Sequence, residues 1–234
     1  MILQECLDKL ARGKLGNLAV CSGGKVRSDQ IPKIVDAINE ALDRIYSELP
    51  IKENSVIVEL YEGRVDYEIT SEHSFRKATG DIHDPYEFYI RDTEYRPFED
   101  DILTITEIWD DLERKRPLND PENPLTVYTP ETNRIIVEHT IDNRILNVVY
   151  RAKHKLLTPD FLTSKVDLPT NLYGALFSYI AYLVHNDLNT EIAVQNAQKY
   201  LSEYQTIINQ IIQNGTLNSD KLVMDSKFYK RGWV

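Results

Sequence analysis

SVIVELYEGRVDYEIT, residues 55–70, is where the chain changes period. β-Branched and aromatic residues dominate it, and Glu62-Gly63 stands where a turn would separate two extended runs. On its N-terminal side the apolar spacing is helical. Ile31, Ile34, Val35, Ile38, Leu42, Ile45 and Leu49 step mostly by three and four, and the pattern stops at Pro50. Ser28 is the candidate N-cap, and Pro32 falls in the first turn, where its missing N–H costs little. Lys33, Asp36, Glu40, Asp43 and Arg44 form the opposite, solvated face. Further upstream, Ile2, Leu3, Leu7 and Leu10 suit a short helix over 2–12, broken by Gly13, Gly16 and Ser22-Gly23-Gly24.

Beyond residue 70 the strand signal continues. Candidates are Glu87–Arg91, Leu103–Trp109, Leu125–Tyr128, Arg134–Glu138 and Ile145–Arg151. Turn-forming clusters at 119–124, 129–133 and 142–144 separate several of them. Short strands at this spacing predict an antiparallel sheet folded into a sandwich or a partial barrel. After Pro159 the helical period returns. Leu172, Ala175, Leu176, Tyr179, Ile180 and Leu183 form one stripe, widened by Phe177, Ala181 and Val184. His185-Asn186-Asp187 interrupts it, Thr190 can cap the next helix, and Ile192, Val194, Ala197, Tyr200, Leu201, Tyr204, Ile207, Ile208 and Ile211 carry that helix to Asn214-Gly215. The expected fold class is α+β. A helical bundle is built from residues 1–50 and 160–215, an antiparallel β module at 51–159 is inserted between them, and 216–234 is an extended C-terminal arm.

The chain has 234 residues, is 42% hydrophobic and carries a formal charge of −10. That composition supports a substantial core and argues against general nucleic-acid binding by the body of the protein. No apolar run approaches the ~20 residues of a membrane helix. Cys6 and Cys21 are the only cysteines, too few for a zinc set and suggestive of a reducing compartment. The start of the chain carries no secretion signal by composition.

Chemistry is sparse. Phosphate-loop, dinucleotide, nucleophile-elbow and zinc-protease motifs are missing from the sequence, so neither a catalytic residue nor a cofactor is assigned. Ser22-Gly23-Gly24-Lys25 resembles a phosphate cradle only superficially. Asp81, His83 and Asp84 are a conceivable metal triplet, for which a solvated loop is the commoner explanation. Glu99-Asp100-Asp101 and Asp110-Asp111 offer carboxylate pairs for acid–base chemistry, so a carboxylate-dependent hydrolase is one competing reading. A host-surface binding module using the β insertion is another. His154, between Lys153 and Lys155, is expected at the surface. Residues 81–123 hold fourteen Asp or Glu against five Lys or Arg, a one-sign stretch that suits either solubility or head-to-tail contacts between copies.

The segment 216–234, TLNSDKLVMDSKFYKRGWV, has the opposite character. Lys221, Lys227, Lys230 and Arg231 outnumber Asp220 and Asp225, a net charge of +2. Leu222, Val223, Met224, Phe228, Tyr229 and Trp233 are too few to form a core, yet they are residues that anchor interfaces. Ordering costs roughly 1–2 kcal/mol per residue and burial returns ~1.5–3 kcal/mol per large side chain, so the arm should be mobile when free and fixed by docking.

Four stretches resemble the head-to-tail adaptor (connector, or head-completion) proteins of short-tailed bacteriophages. They are 12–18 leading into 31–42, 116–120 with 127–130, 148–154, and 166–169 before the last two helices. The resemblance spans most of the chain. It implies a virion subunit made in the host cytoplasm and assembled as a dodecameric ring at the head–tail junction. The ring joins the portal to the tail nozzle or tail fibre protein and leaves a channel for DNA, with no tight nucleic-acid binding and no membrane contact. By position and chemistry it makes 216–234 the portal-binding arm, with Leu222, Val223, Met224, Lys227, Phe228, Tyr229, Lys230, Arg231 and Trp233 as its contact residues.

Overall fold

The computed structural model describes residues 1–77, 87–95, 97–138, 144–188 and 190–215. The protein is an α+β chain with antiparallel sheets that divides into two compact units, one from Met1–Ile51 with residues from His154 on, the other Lys52–Lys153. Among the described residues, no helix is long and apolar enough to cross a membrane.

In the first unit, α1 (Leu3–Arg12) buries Leu3, Cys6, Leu7, Leu10 and Ala11, close to the stripe read from the spacing. Its first turn is tied to the returning chain: Leu3 N–H donates to the Ser164 carbonyl at 2.9 Å, and Gln4 N–H to Leu162 at 2.9 Å. Burial pushes the Cys6 thiol up to about 12, so it acts as a small apolar side chain. Next come β1 (Cys21–Ser22) and β2 (Lys25–Val26), paired antiparallel. Gly23 and Gly24 sit at φ of +59° and +72° between them, the left-handed pair that a two-residue hairpin turn requires.

A 3₁₀ turn over Ser28–Gln30 leads into α2 (Ile31–Glu48). Ser28 therefore opens that turn, and the residue flanking α2 is Gln30, which makes no side-chain cap bond. α2 buries Ile34, Val35, Ile38, Ala41, Leu42, Ile45 and Tyr46. α3 (Tyr173–Asn186) runs two residues beyond the expected break, so His185 and Asn186 are helical. In α4 (Glu191–Gln213) Thr190 caps as expected, its hydroxyl oxygen accepting from the Ala193 N–H at 3.3 Å. The first turn of α4 departs from the reading: Ile192 and Val194 are 74% and 42% exposed, and Ala193 faces inward. α1, α2, α3 and α4 contribute to one apolar core.

The second unit holds two antiparallel sheets. β3 (Glu53–Leu60), β5 (Ile90–Arg91), β6 (Ile102–Asp110), β7 (Lys115–Arg116) and β10 (Arg144–Ala152) form the five-stranded one, ordered β5-β3-β10-β6-β7. β4 (Asp66–Glu68), β8 (Tyr128–Glu131) and β9 (Arg134–Ile136) form the other, with β9 central. The turn at Glu62-Gly63 therefore carries the chain from one sheet to the other. Tyr67 supports that crossing: its hydroxyl accepts from the Tyr61 N–H at 2.9 Å and donates to the Arg64 carbonyl at 3.1 Å. Inward residues of both sheets, including Val58, Ile108, Val148, Tyr67, Val127 and Ile135, share one core. Pairing shifts the eighth strand three residues past its predicted start, so Pro130 lies in a strand. β8 is at the sheet edge with a register irregularity beside Pro130, where a missing N–H is tolerated.

Candidate functional site

Spacing on α4 builds a concavity in the helical unit. Leu201, Tyr204, Ile208 and Ile212 recur at three and four residues, so one face of the helix borders a cleft of about 630 Å³. Tyr179 and Tyr182 of α3 line a second side, and Arg44 and Glu48 of α2 a third. The Tyr179 ring lies 5.4 Å from Tyr182 and 4.9 Å from Tyr204, centroid to centroid, in tilted packing. Glu48 holds the polar end together. One oxygen pairs with Arg44 Nε at 2.5 Å and the other accepts from the Tyr204 hydroxyl at 2.6 Å. Burial, with Glu48 next, raises the Tyr204 phenol far above its usual range. Burial also raises Tyr179, with Arg44 opposing and Glu40 reinforcing the shift. These phenols are neutral hydrogen-bonding groups at physiological pH. The cleft presents aromatic faces, apolar edges and fixed polar atoms, an arrangement suited to binding a side chain or a peptide. The sequence reading placed Tyr179 and Tyr204 in apolar stripes, with Tyr204 buried as expected, and left Tyr182 out of both. Their pairing at i, i+3 on α3 and at i, i+4 on α4 (Tyr200, Tyr204) is the signal that marks a partly open face.

Several acidic residues of the second unit are engaged by donors of the same unit. Asp101, with its side chain 12% exposed, accepts from Asn54 Nδ2 at 2.9 Å, Lys52 Nζ at 3.2 Å and the Tyr150 hydroxyl at 2.7 Å. Asp100 accepts from the Ser71 N–H. Asp110 accepts the N–H groups of Leu112 and Arg114 at 3.0 and 2.9 Å and is paired with Arg114 Nη2 at 2.9 Å. Those bonds outweigh burial and hold its carboxyl below the ordinary range. Asp111 pairs with Arg144 at 2.6 Å. Each of these carboxylates organises a turn or a strand end.

His154 corrects the expectation of a surface role. Its side chain is 4% exposed, with Nε2 3.3 Å from Asp43 Oδ1 and its ring edge-on to Tyr46. Strand β10 ends at Ala152, so the next residues leave the alternation of the sheet, and the ring turns onto α2. Ser22-Gly23-Gly24-Lys25 is the β1–β2 hairpin, so those glycines serve turn geometry. Asp81, His83 and Asp84 lie outside the described residues. So do all the arm residues, Leu222, Val223, Met224, Lys227, Phe228, Tyr229, Lys230, Arg231 and Trp233. Among the described residues, no group of three His, Cys, Asp or Glu side chains is placed to hold a metal ion.

No protein-family model matches the chain, and no curated protein is significantly similar to it.

Proposed function

We propose that the protein is a structural virion subunit: one copy in a dodecameric adaptor ring that joins the portal at the capsid vertex to the tail nozzle and forms part of the DNA channel. In this reading residues 1–50 and 160–215 are a helical bundle and 51–159 an inserted β module facing the nozzle or fibres. Segment 216–234 is the arm that docks on the portal. The observation that carries the reading is the join between α4 and that segment. α4 is a 23-residue helix that ends beside Gly215, at φ +59°, and the chain then passes into a stretch rich in aromatic and basic residues. The order of the four stretches that resemble those of head-to-tail adaptors is in keeping with it.

Deletion of 216–234 tests the assignment. With a portal preparation, native mass spectrometry of the intact protein should show a large ring that forms only when the portal is present. The shortened chain should keep its helical circular dichroism and lose that assembly. Ring formation by the shortened chain at the same concentration would refute the arm's role.

A further inference from the structure

We propose that the tyrosine cleft is a docking site for the chain's own segment 216–234, seating Leu222-Val223-Met224. The inference rests on the reading of that segment as an interface arm and revises the expectation that all of it is mobile when free: 222–224 rest in the cleft before a partner takes the arm. Three observations point to this occupant. The first is place. The cleft follows α4 from Leu201 to Ile212, about 16 Å of helix, and the described chain stops at Gly215. Leu222 is seven residues further on, an extended reach of up to about 25 Å, so a chain doubling back at Gly215 can reach the whole length of the cleft.

The second is exposure. Ile212 is 57% exposed on the last turn of α4, at the cleft's edge and next to the root of the segment. The third is capacity. A volume near 630 Å³ is room for a few large side chains and not for the whole segment, which carries eight large apolar or aromatic residues. Past the lone Leu217, the first run of consecutive apolar residues is Leu222-Val223-Met224. Phe228, Tyr229 and Trp233 stay available for the portal. Tethering favours the chain's own segment over another copy's, because a short linker sets a millimolar effective concentration.

Hydrogen exchange on the full chain tests this, followed by mass spectrometry at two protein concentrations tenfold apart. Amides of 221–225 should exchange roughly tenfold slower than in an unstructured chain, independently of concentration. Ile212→Lys replaces an apolar wall of the cleft with a charge, at an exposed position compatible with the helix terminus, and should abolish that protection. Tyr182→Ser should reduce it. Free exchange of 221–225 in the native chain would overturn the proposal. So would protection unchanged in Ile212→Lys, or protection that grows with concentration, which would mean docking on a second copy. The portal assay separates this from the adaptor reading. Ile212→Lys keeps the whole arm and should still assemble with the portal, whereas failure of the adaptor reading would appear as no ring from the native chain with the portal present, whatever the exchange of 221–225.

Discussion

Replacing Asn39 by Ala should cost the helical unit roughly 2–3.5 kcal/mol. Asn39 lies on the buried face of α2, 8% exposed, between residues that pack the core. Its Nδ2 donates to the Leu157 carbonyl at 2.9 Å, and its Oδ1 accepts from the Leu157 N–H at 3.0 Å. The side-chain amide therefore does for Leu157 what a neighbouring strand would do, in a stretch with no regular structure of its own. Alanine removes both bonds and strands a buried donor and a buried acceptor, each at about 1–3 kcal/mol. Better helix propensity returns about 0.5 kcal/mol, and some solvation of the gap trims the rest. Urea unfolding followed at 222 nm should show a lower midpoint with an unchanged slope. Asn39→Asp sharpens the test. Its carboxylate can still accept from the N–H but faces a carbonyl where a donor stood, so its folded pKa lies above the unfolded value. Its deficit against the native protein should be full at neutral pH and shrink as pH falls through that raised pKa, when the carboxyl can donate. An Asn39→Ala chain within about 0.5 kcal/mol of the native one would refute the argument that this clamp holds the returning chain.

His185→Leu should raise stability at neutral pH by about 1 kcal/mol, because the ring is buried against Tyr200 with neither nitrogen in a hydrogen bond of good geometry. Burial lowers its pKa, with the nearby Lys14 backbone opposing, so native stability should fall as pH drops below about 6.5, and His185→Leu should flatten that limb in thermal melts. Asp101→Ala should cost the β unit roughly 2–3 kcal/mol by stranding the buried Tyr150 hydroxyl, read by hydrogen exchange of β10 amides. Gly23→Val should cost about 1–2 kcal/mol through its left-handed φ alone, while inorganic phosphate leaves the melting temperature unmoved, as a turn and not an anion cradle demands.

Helix periodicity carried much of the architecture in the sequence, because each buried face of α2, α3 and α4 repeats within one element. Features that depend on distant partners were less legible. Asn39 falls on the stripe of Ile34, Val35, Ile38 and Leu42, and a polar residue there announces a buried bond, but Leu157 is 118 positions away. The strand order was hidden for the same reason. β10 has alternating inward residues Leu146, Val148, Tyr150 and Ala152, which shows one covered face without saying that β3 and β6 flank it. Pro130 misled because a proline in a turn-rich run reads as a breaker until the strand proves to be an edge. Tyr179 and Tyr204 read as core because tyrosine bodies satisfy an apolar stripe, and Tyr204 is buried, while their hydroxyls, the neighbouring Tyr182 and the space beside them become apparent only when three helices meet.

Charge counted along the chain also overstates charge felt at the surface. Residues 81–123 are strongly acidic by count, yet several of those carboxylates meet cations in the folded unit. Asp101 has Lys52, Asp92 lies 3.7 Å from Arg76, and Asp111 has Arg144, all cations from outside the stretch. Glu107 and Asp110 are paired with Lys115 and Arg114 from within it. The field that would draw in a basic segment is correspondingly weaker than the count of fourteen against five suggests. In the helical unit Glu48, the carboxylate of the tyrosine cleft, is likewise held by Arg44 and Tyr204. Binding by 216–234 should therefore draw mainly on its apolar and aromatic side chains. Raising salt from 0.1 to 0.5 M, which shortens the screening length from about 10 Å to less than half that, should weaken docking only a few-fold. A loss of a hundredfold would mean that charge attraction, and not burial of Leu222, Val223 and Met224, holds the segment in place.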